Sequence, residues 1–364
     1  TTVTQGIISM YRTFGLKVLL AAPTGRAAKR MTEATGLEAK TIHRLLEFKP
    51  PNGYEKNENT PLEGDVLIVD EASMIDVILM NSLLKAIPPQ MRLILVGDID
   101  QLPSVGAGNV LRDMIDSGSV PVVRLTKIFR QAQSSRIVMN AHRINEGVFP
   151  DISNGKKADF FFLEDSDPEH TAGQIVDLVK RRLPKAYNVP TSSIQVLTPM
   201  QRGVIGASNL NLVLQDAINP TGVLLRRSGL TYRLHDRVMQ IKNNYDKEVF
   251  NGDIGHIHSV DLENRTLSVL FDDRLIEYEA TDLDELTLAY ATTIHKAQGS
   301  EYPIVVMPVL MSHYVMLQRN MIYTGITRAK KLLVLIGTQK ALNYAIRNVT
   351  VTNRNTKLKE RLSI

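Results

Sequence analysis

Short continuous apolar runs that stop abruptly on carboxylates, glycines or small polar residues recur along this chain. Val66-Leu67-Ile68-Val69 stops at Asp70-Glu71, Leu93–Val96 at Gly97-Asp98, and Val18–Ala22 at Pro23-Thr24-Gly25. Val122–Leu125, Ile194–Leu197, Ile304–Met307 and Leu332–Ile336 have the same look, and helical patterns such as Arg26–Ala34 lie between the runs. Uninterrupted apolar strands separated by helices predict buried parallel strands in an α/β fold. Two stretches break the rhythm. Glu47–Glu63 carries Pro50-Pro51 and Asn52-Gly53, which predicts a loop or small hairpin. Arg233–Glu279 holds Arg237–Lys242, Asp253–Val260, Thr266–Phe271 and Leu275–Glu279, joined by Asn/Asp/Gly turns, and predicts a small antiparallel β insert.

At 364 residues the chain is long enough for about two domains. It has no cysteine, which excludes disulfides, thiolate metal sites and a cysteine nucleophile. No apolar run approaches the roughly 18 residues of a membrane span, so no membrane partner is expected. Tryptophan is absent and aromatics make up 5%, which argues against extensive stacking platforms. The net charge of +5 is unevenly spread. Basic residues dominate Arg124–Arg143 and Gly325–Ile364, while acids dominate Asp261–Glu285. Such stretches are either solvated faces or a local anion-binding surface. The chain also starts in helical spacing, with Ile7-Ile8 and Tyr11 and no capping residue before them, so further sequence is expected upstream.

In open parallel sheets ligands gather beyond the carboxyl ends of the strands, which is where the polar residues fall. Asp70 suits a Mg²⁺ ion, which takes hard oxygen ligands and keeps several waters, and Glu71 suits a general base. The bland alternative is a pair of acids at a helix N-terminus, favoured by its dipole. Gln101, in the glycine-rich stretch Gly97–Gly108, could position water or reach a phosphate. Thr24, opening a helix after Pro23, offers a hydroxyl and backbone N–H groups to phosphate. Arg130 and Arg328 could each place positive charge on a phosphoryl group. His43 is either a packed histidine or a ligand contact. His256 and His258 alternate on a strand with no evident third ligand, so a solvated face outweighs a metal pair.

Read in order, these segments resemble the motifs of superfamily-one helicases, in particular the RecD-like members of the B branch. Ala22–Ala28 resembles motif Ia, Asp70-Glu71-Ala72-Ser73 motif II, Gly97–Gly108 motif III and Leu125–Gln131 motif IV. Ala291–Glu301 resembles motif V and Tyr323–Lys330 motif VI. Thr41–Leu46 and Phe250–Gly255 resemble further RecD-type segments. The resemblance implies two RecA-like (P-loop NTPase) parallel-sheet domains. The first spans residues 1–145 with a hairpin insert at 47–63. The second is formed by 146–232 and 280–364, around an SH3-like β insert at 233–279. The family's phosphate loop ends in Gly-Lys-Thr or Gly-Lys-Ser. Thr1 matches that Thr, which places the glycines and lysine just upstream.

The implied activity is ATP-dependent helicase or translocase action, 5′ to 3′ on single-stranded DNA, in repair or recombination. ATP and Mg²⁺ are the implied cofactors, with Thr1 and Asp70 at the metal. Glu71 is the implied base, and Gln101, Arg130, Arg328 and Glu301 contact the nucleotide. Pro23, Thr24, Arg26, His43, Thr292, Thr293 and His295 are the implied DNA contacts. Fork DNA and repair-complex proteins are implied partners, in a cytoplasmic, nucleoid-associated, bacterial-type setting. An ATP-gated DNA-binding subunit without motor activity is the competing expectation, motivated by the missing lysine.

Overall fold

A computed structural model describes residues 2–49, 51, 53–125, 134–155, 158–227, 229–349, 354 and 356–363. The chain divides into two compact units, Thr1–Thr126 with Val351–Ile364, and Lys127–Thr350.

The first unit is built on strands β1 (Val18–Ala22), β2 (Ala39–Thr41), β5 (Val66–Val69) and β6 (Arg92–Leu95), after a small hairpin of β3 (Phe48–Lys49) and β4 (Gly53–Tyr54). The sheet order is β2-β1-β5-β6 and every pair is parallel. Register keeps the carboxyl ends level: Ala22 lies opposite Thr41, Ala21 opposite Val69, and Val69 opposite Leu95. The continuous apolar runs exist because both faces are covered. Leu20, Val66 and Ile68 pack with Ile8 and Met31 of the helices Thr2–Thr13 and Gly25–Thr35. Their neighbours Ala21, Leu67 and Val69 pack on the opposite face with Met80, Leu83, Val110 and Leu111, from the helices Val77–Ala86 and Val110–Ser117. Alternate side chains of a strand face opposite ways, so a strand buried on both faces must be apolar throughout.

The boundaries differ from those expected at 145. The helix Arg136–Asn145 lies in the second unit, where it packs on the helix Arg319–Ile326. The C-terminal segment returns to the first unit, where Leu358–Leu362 packs against Val110–Ser117. Val122–Leu125 forms no strand: Val123 and Leu125 are 89% and 75% exposed, so these residues lack the burial that holds the other runs in a sheet.

The second unit contains β7 (Phe160–Glu164), β8 (Ile194–Thr198), a hairpin of β9 (Leu224–Arg227) and β10 (Leu230–Arg233), then β11 (Arg237–Gln240), β12 (Ile254–Asp261), β13 (Thr266–Phe271), β14 (Arg274–Tyr278) and β15 (Leu286–Leu288). It ends with β16 (Ala291–Thr293), β17 (Tyr302–Val309) and β18 (Ala329–Gly337). A parallel sheet runs β16-β8-β17-β18-β7, and an antiparallel sheet runs β14-β13-β12-β11-β15. The insert is larger than 233–279, because β15 completes its sheet. It is also continuous with its host: Val238, Ile257 and Val269 share one buried cluster with Val196, Ile304 and Val334. Buried Arg237 fastens the join, donating from Nη1 to the Ile194 carbonyl at 2.9 Å. Among the described residues no helix is long and apolar enough to cross a membrane.

Candidate nucleotide and nucleic-acid sites

The carboxyl edge of the first sheet collects the candidates of the first unit. After β1, Pro23 and Thr24 are half-buried, and Thr24 caps the helix Gly25–Thr35 by accepting the Ala27 N–H at 3.2 Å. The cap uses the hydroxyl oxygen as acceptor. What remains for an anion at this helix start is the Thr24 hydroxyl hydrogen, since the N–H groups of Ala27 and Ala28 already donate to Thr24. Arg26 follows in that turn.

After β5, Asp70 and Glu71 are half-buried. The Asp70 N–H donates to the Ala21 carbonyl at 3.0 Å, continuing the ladder, and Asp70 Oδ1 accepts the Glu71 N–H at 2.8 Å. Glu71 then takes φ 52°, a left-handed conformation that costs a non-glycine residue energy and is concentrated at functional sites. That reversal turns the chain into the short 3-10 turn Ala72–Met74. Buried Ser73, beside the two acids, has a hydroxyl with no hydrogen-bond partner.

After β6, Gly97 fills the remaining gap. A Cβ there would lie 3.0 Å from the Ala72 nitrogen and 3.1 Å from the Ser73 nitrogen. Only a bare backbone fits this close beside the acidic turn. Asp98 then organises the loop: Oδ1 accepts the Asp100 N–H at 3.0 Å and Oδ2 accepts Gln101 Nε2–H at 3.2 Å. Asp70, Glu71 and Gln101 thus stand on neighbouring strand ends of one edge.

His43 follows β2, in a short helix capped by Thr41, which accepts the Arg44 N–H at 3.1 Å. Its ring meets the hairpin, with centroids 5.9 Å from both Phe48 and Tyr54, and these two lie 5.0 Å apart. Burial lowers the His43 pKa and Asp76 partly offsets this. The ring thus seats the hairpin, and its burial disfavours the charged form that would clasp a phosphate.

In the second unit the candidates fall into two groups. Thr292 and Thr293 end β16, level with Leu197 and Thr198 of β8, with His295 in the turn that follows. The Thr292 hydroxyl is buried without a partner, Thr293 Oγ1 accepts the Lys296 N–H at 3.4 Å, and burial lowers the His295 pKa. Glu301 and Arg328 instead stand at the starting ends of β17 and β18. Glu301 pairs with Lys330 at 3.0 Å. Arg328 is 4% exposed and donates to the carbonyls of Thr324 and Ser300, each at 3.1 Å, and to Thr327 Oγ1.

Thr1 and Arg130 lie outside the described residues. Ser73 and Asp98 lie inside segments quoted from the sequence but were not singled out there as site residues, and Arg354, discussed below, was not singled out either. Asp98 alone carried a signal, as an acid directly after an apolar strand. His256 and His258 lie exposed on β12, and among the described residues no three His, Asp or Glu side chains gather to hold a metal.

Three family models match parts of the chain: an AAA domain over residues 1–107, the SH3 domain of ATP-dependent RecD-like DNA helicases over 210–271, and a UvrD-like helicase C-terminal domain over 288–336. The chain is 38% identical over 361 residues to the ATP-dependent RecD2 DNA helicase of Deinococcus radiodurans, covering 99% of this chain and 48% of that protein. It is 29% identical to the RecBCD enzyme subunit RecD of Mycobacterium tuberculosis, covering 91% of this chain and 62% of that one. The chain therefore spans about half to two thirds of these relatives. Among solved structures it resembles the Pif1 helicase of Candida albicans (TM-score 0.52, 19% identity, 99% of this chain and 92% of that one). It also resembles a Bacteroides Pif1 helicase in complex with ADP-AlF3 and single-stranded DNA (TM-score 0.52, 18% identity, 88% and 82%).

Fold and matches together define a superfamily-one helicase core, with two RecA-like parallel sheets and an SH3-like insert. The chain belongs to the RecD-like helicase family.

Proposed function

We propose that the chain is the motor part of an ATP-dependent DNA helicase that moves 5′ to 3′ on single-stranded DNA and opens forks during repair or recombination. One observation carries the reading. A single sheet edge presents Asp70, Glu71 and Gln101 on adjacent strand ends, with a glycine where the two strand-end turns touch. The donor set fits ATP with Mg²⁺: hard carboxylate oxygens on Asp70 and Glu71 and an orphaned Ser73 hydroxyl. A magnesium ion of this kind is held by one or two carboxylates plus the substrate's phosphates.

Asp70 would hold the ion and, by resemblance, Thr1 with it; the bound ion neutralises phosphate charge. Glu71 accepts the proton of the attacking water. Gln101, steadied by Asp98, orients that water or a phosphate oxygen. Arg130, Arg328 and Glu301 are the remaining proposed nucleotide contacts. Arg328 must exchange part of its present hydrogen bonding to reach one. Pro23, Thr24, Arg26, His43, Thr292, Thr293 and His295 are the proposed DNA contacts. A helix-start hydroxyl and a basic side chain hold phosphates without reading bases. We place the protein in a bacterial-type cytoplasm at the nucleoid, with repair proteins as partners.

The test is Glu71→Gln in the intact protein, with ATPase measured with and without single-stranded DNA. The expected result is DNA-stimulated turnover in the parent and a loss of about 10²-fold or more in the variant, with ATP binding retained. Normal turnover by the variant contradicts the reading. DNA-stimulated turnover without any duplex unwinding favours the alternative of an ATP-gated DNA-binding subunit.

A further inference from the structure

The C-terminal segment that rejoins the first unit touches the loop following Gln101. Arg354 Nη1 donates to Ser104 Oγ at 3.1 Å, to the Gly108 carbonyl at 2.9 Å and to the Gly106 carbonyl. Ser104 is 3% exposed, and its own hydroxyl lies 3.2 Å from the Gly108 carbonyl. Two residues on, Thr356 packs its methyl over Gly108, 3.2 Å from where a Cβ would stand, and Leu358 joins the core beneath.

The other side of this loop rests on the start of the helix Val77–Ala86. The Val77 N–H donates to the Ala107 carbonyl at 2.9 Å. A Cβ on Gly106 would come within 2.8 Å of the Asp76 Cβ, and Asp76 caps that helix through the Leu79 N–H at 2.8 Å. The loop is therefore gripped between two supports. Its N-terminal end leads back three residues to Gln101. The helix start leads back five residues to Glu71.

We propose that Arg354 is a positioning residue for nucleotide hydrolysis: it locks loop 104–108 against the Asp76–Val77 helix start and so fixes Gln101 relative to Glu71. A guanidinium suits this place because its donors are held rigidly in plane and it is weakly hydrated, whereas an ammonium is a strongly hydrated charge on a flexible stem. The inference rests on the ATP-hydrolysing reading above.

The test uses the intact protein with Arg354→Ala, Arg354→Lys, Ser104→Ala and the Ser104→Ala/Arg354→Ala double variant, under saturating single-stranded DNA. Arg354→Ala is expected to lower kcat by about ten- to a hundredfold, the scale set by small misplacements of reacting groups. KM for ATP should change by less than about threefold, the mark of an effect confined to the chemical step. Arg354→Lys should recover part of the rate, and the double variant should be slowed by less than the product of the two single effects, since the two changes share the Arg354–Ser104 contact. Should Arg354→Ala fail to fold, Arg354→Lys and Ser104→Ala are read in its place, each slower than the parent at similar KM. Parental kcat in the folded variants overturns the proposal. If the parent shows no Glu71-dependent ATPase, the functional reading itself fails; if it does and the Arg354 variants match it, only this inference fails.

Discussion

Histidine 313 illustrates what one residue can impose. It is 2% exposed in the turn Met311–Met316 after β17, neither ring nitrogen has a partner, and burial pushes its pKa down to about 4. The unfolded chain carries this histidine near 6.5, so it binds the proton first as pH falls. Its contribution to stability is complete above about pH 6.5 and is lost progressively down to about pH 4, to a limit of roughly 3 kcal/mol. His313→Leu should flatten this dependence, which denaturant unfolding between pH 7.5 and 5 measures through the midpoint. A variant as acid-sensitive as the parent would show that the histidine is not the cause. Asp70 and Glu71 owe their placement to backbone, through the Asp70 ladder bond and the reversal at Glu71.

At the scale of elements, the hairpin β3–β4 depends on its rings. Phe48, Tyr54 and His43 form one cluster, and Phe48 remains 43% exposed. Ring pairs of this kind contribute about 0.5–1.5 kcal/mol each beyond area burial. Under the proposed helicase function, the exposed ring of Phe48 is the apolar surface this hairpin offers a duplex. The Phe48→Ala/Tyr54→Ala variant is therefore expected to keep DNA-stimulated ATPase while losing fork unwinding, measured in parallel on single strands and forks. Equal loss of both would instead assign the rings to general folding. The parallel strands were legible because burial on both faces leaves an apolar run bounded by polar residues. Val18–Ala22 and Val66–Val69 are read to the residue, and the run Leu93–Val96 is displaced by one. Residues 39–41 and 291–293 were not legible as strands. Each is three residues long, too short to show a pattern, and the ladder beside it supplies the rest. The closing role of β15 and the return of Arg354 depend on contacts far apart in sequence, which local periodicity does not encode.

Across the whole molecule, the chain builds one unit, passes into a second and comes back to finish the first. The strand-end chemistry of the first unit was readable because residue type and position coincide, with acids and an amide directly after buried strands. The sequence held open a packed role for His43 and placed Thr24 at a helix start, but it did not say that the one would support a hairpin and the other cap its helix. Nor did it show that Arg328 would be held by carbonyls of its own unit. The central claim is that these parts make a directional motor, and the most direct measurement is unwinding of a 5′-tailed and a 3′-tailed duplex by the intact protein, with its Glu71→Gln variant alongside. The account predicts ATP-dependent unwinding of the 5′-tailed substrate alone, abolished by Glu71→Gln. Unwinding of only the 3′-tailed duplex, or unwinding that survives Glu71→Gln, would contradict it.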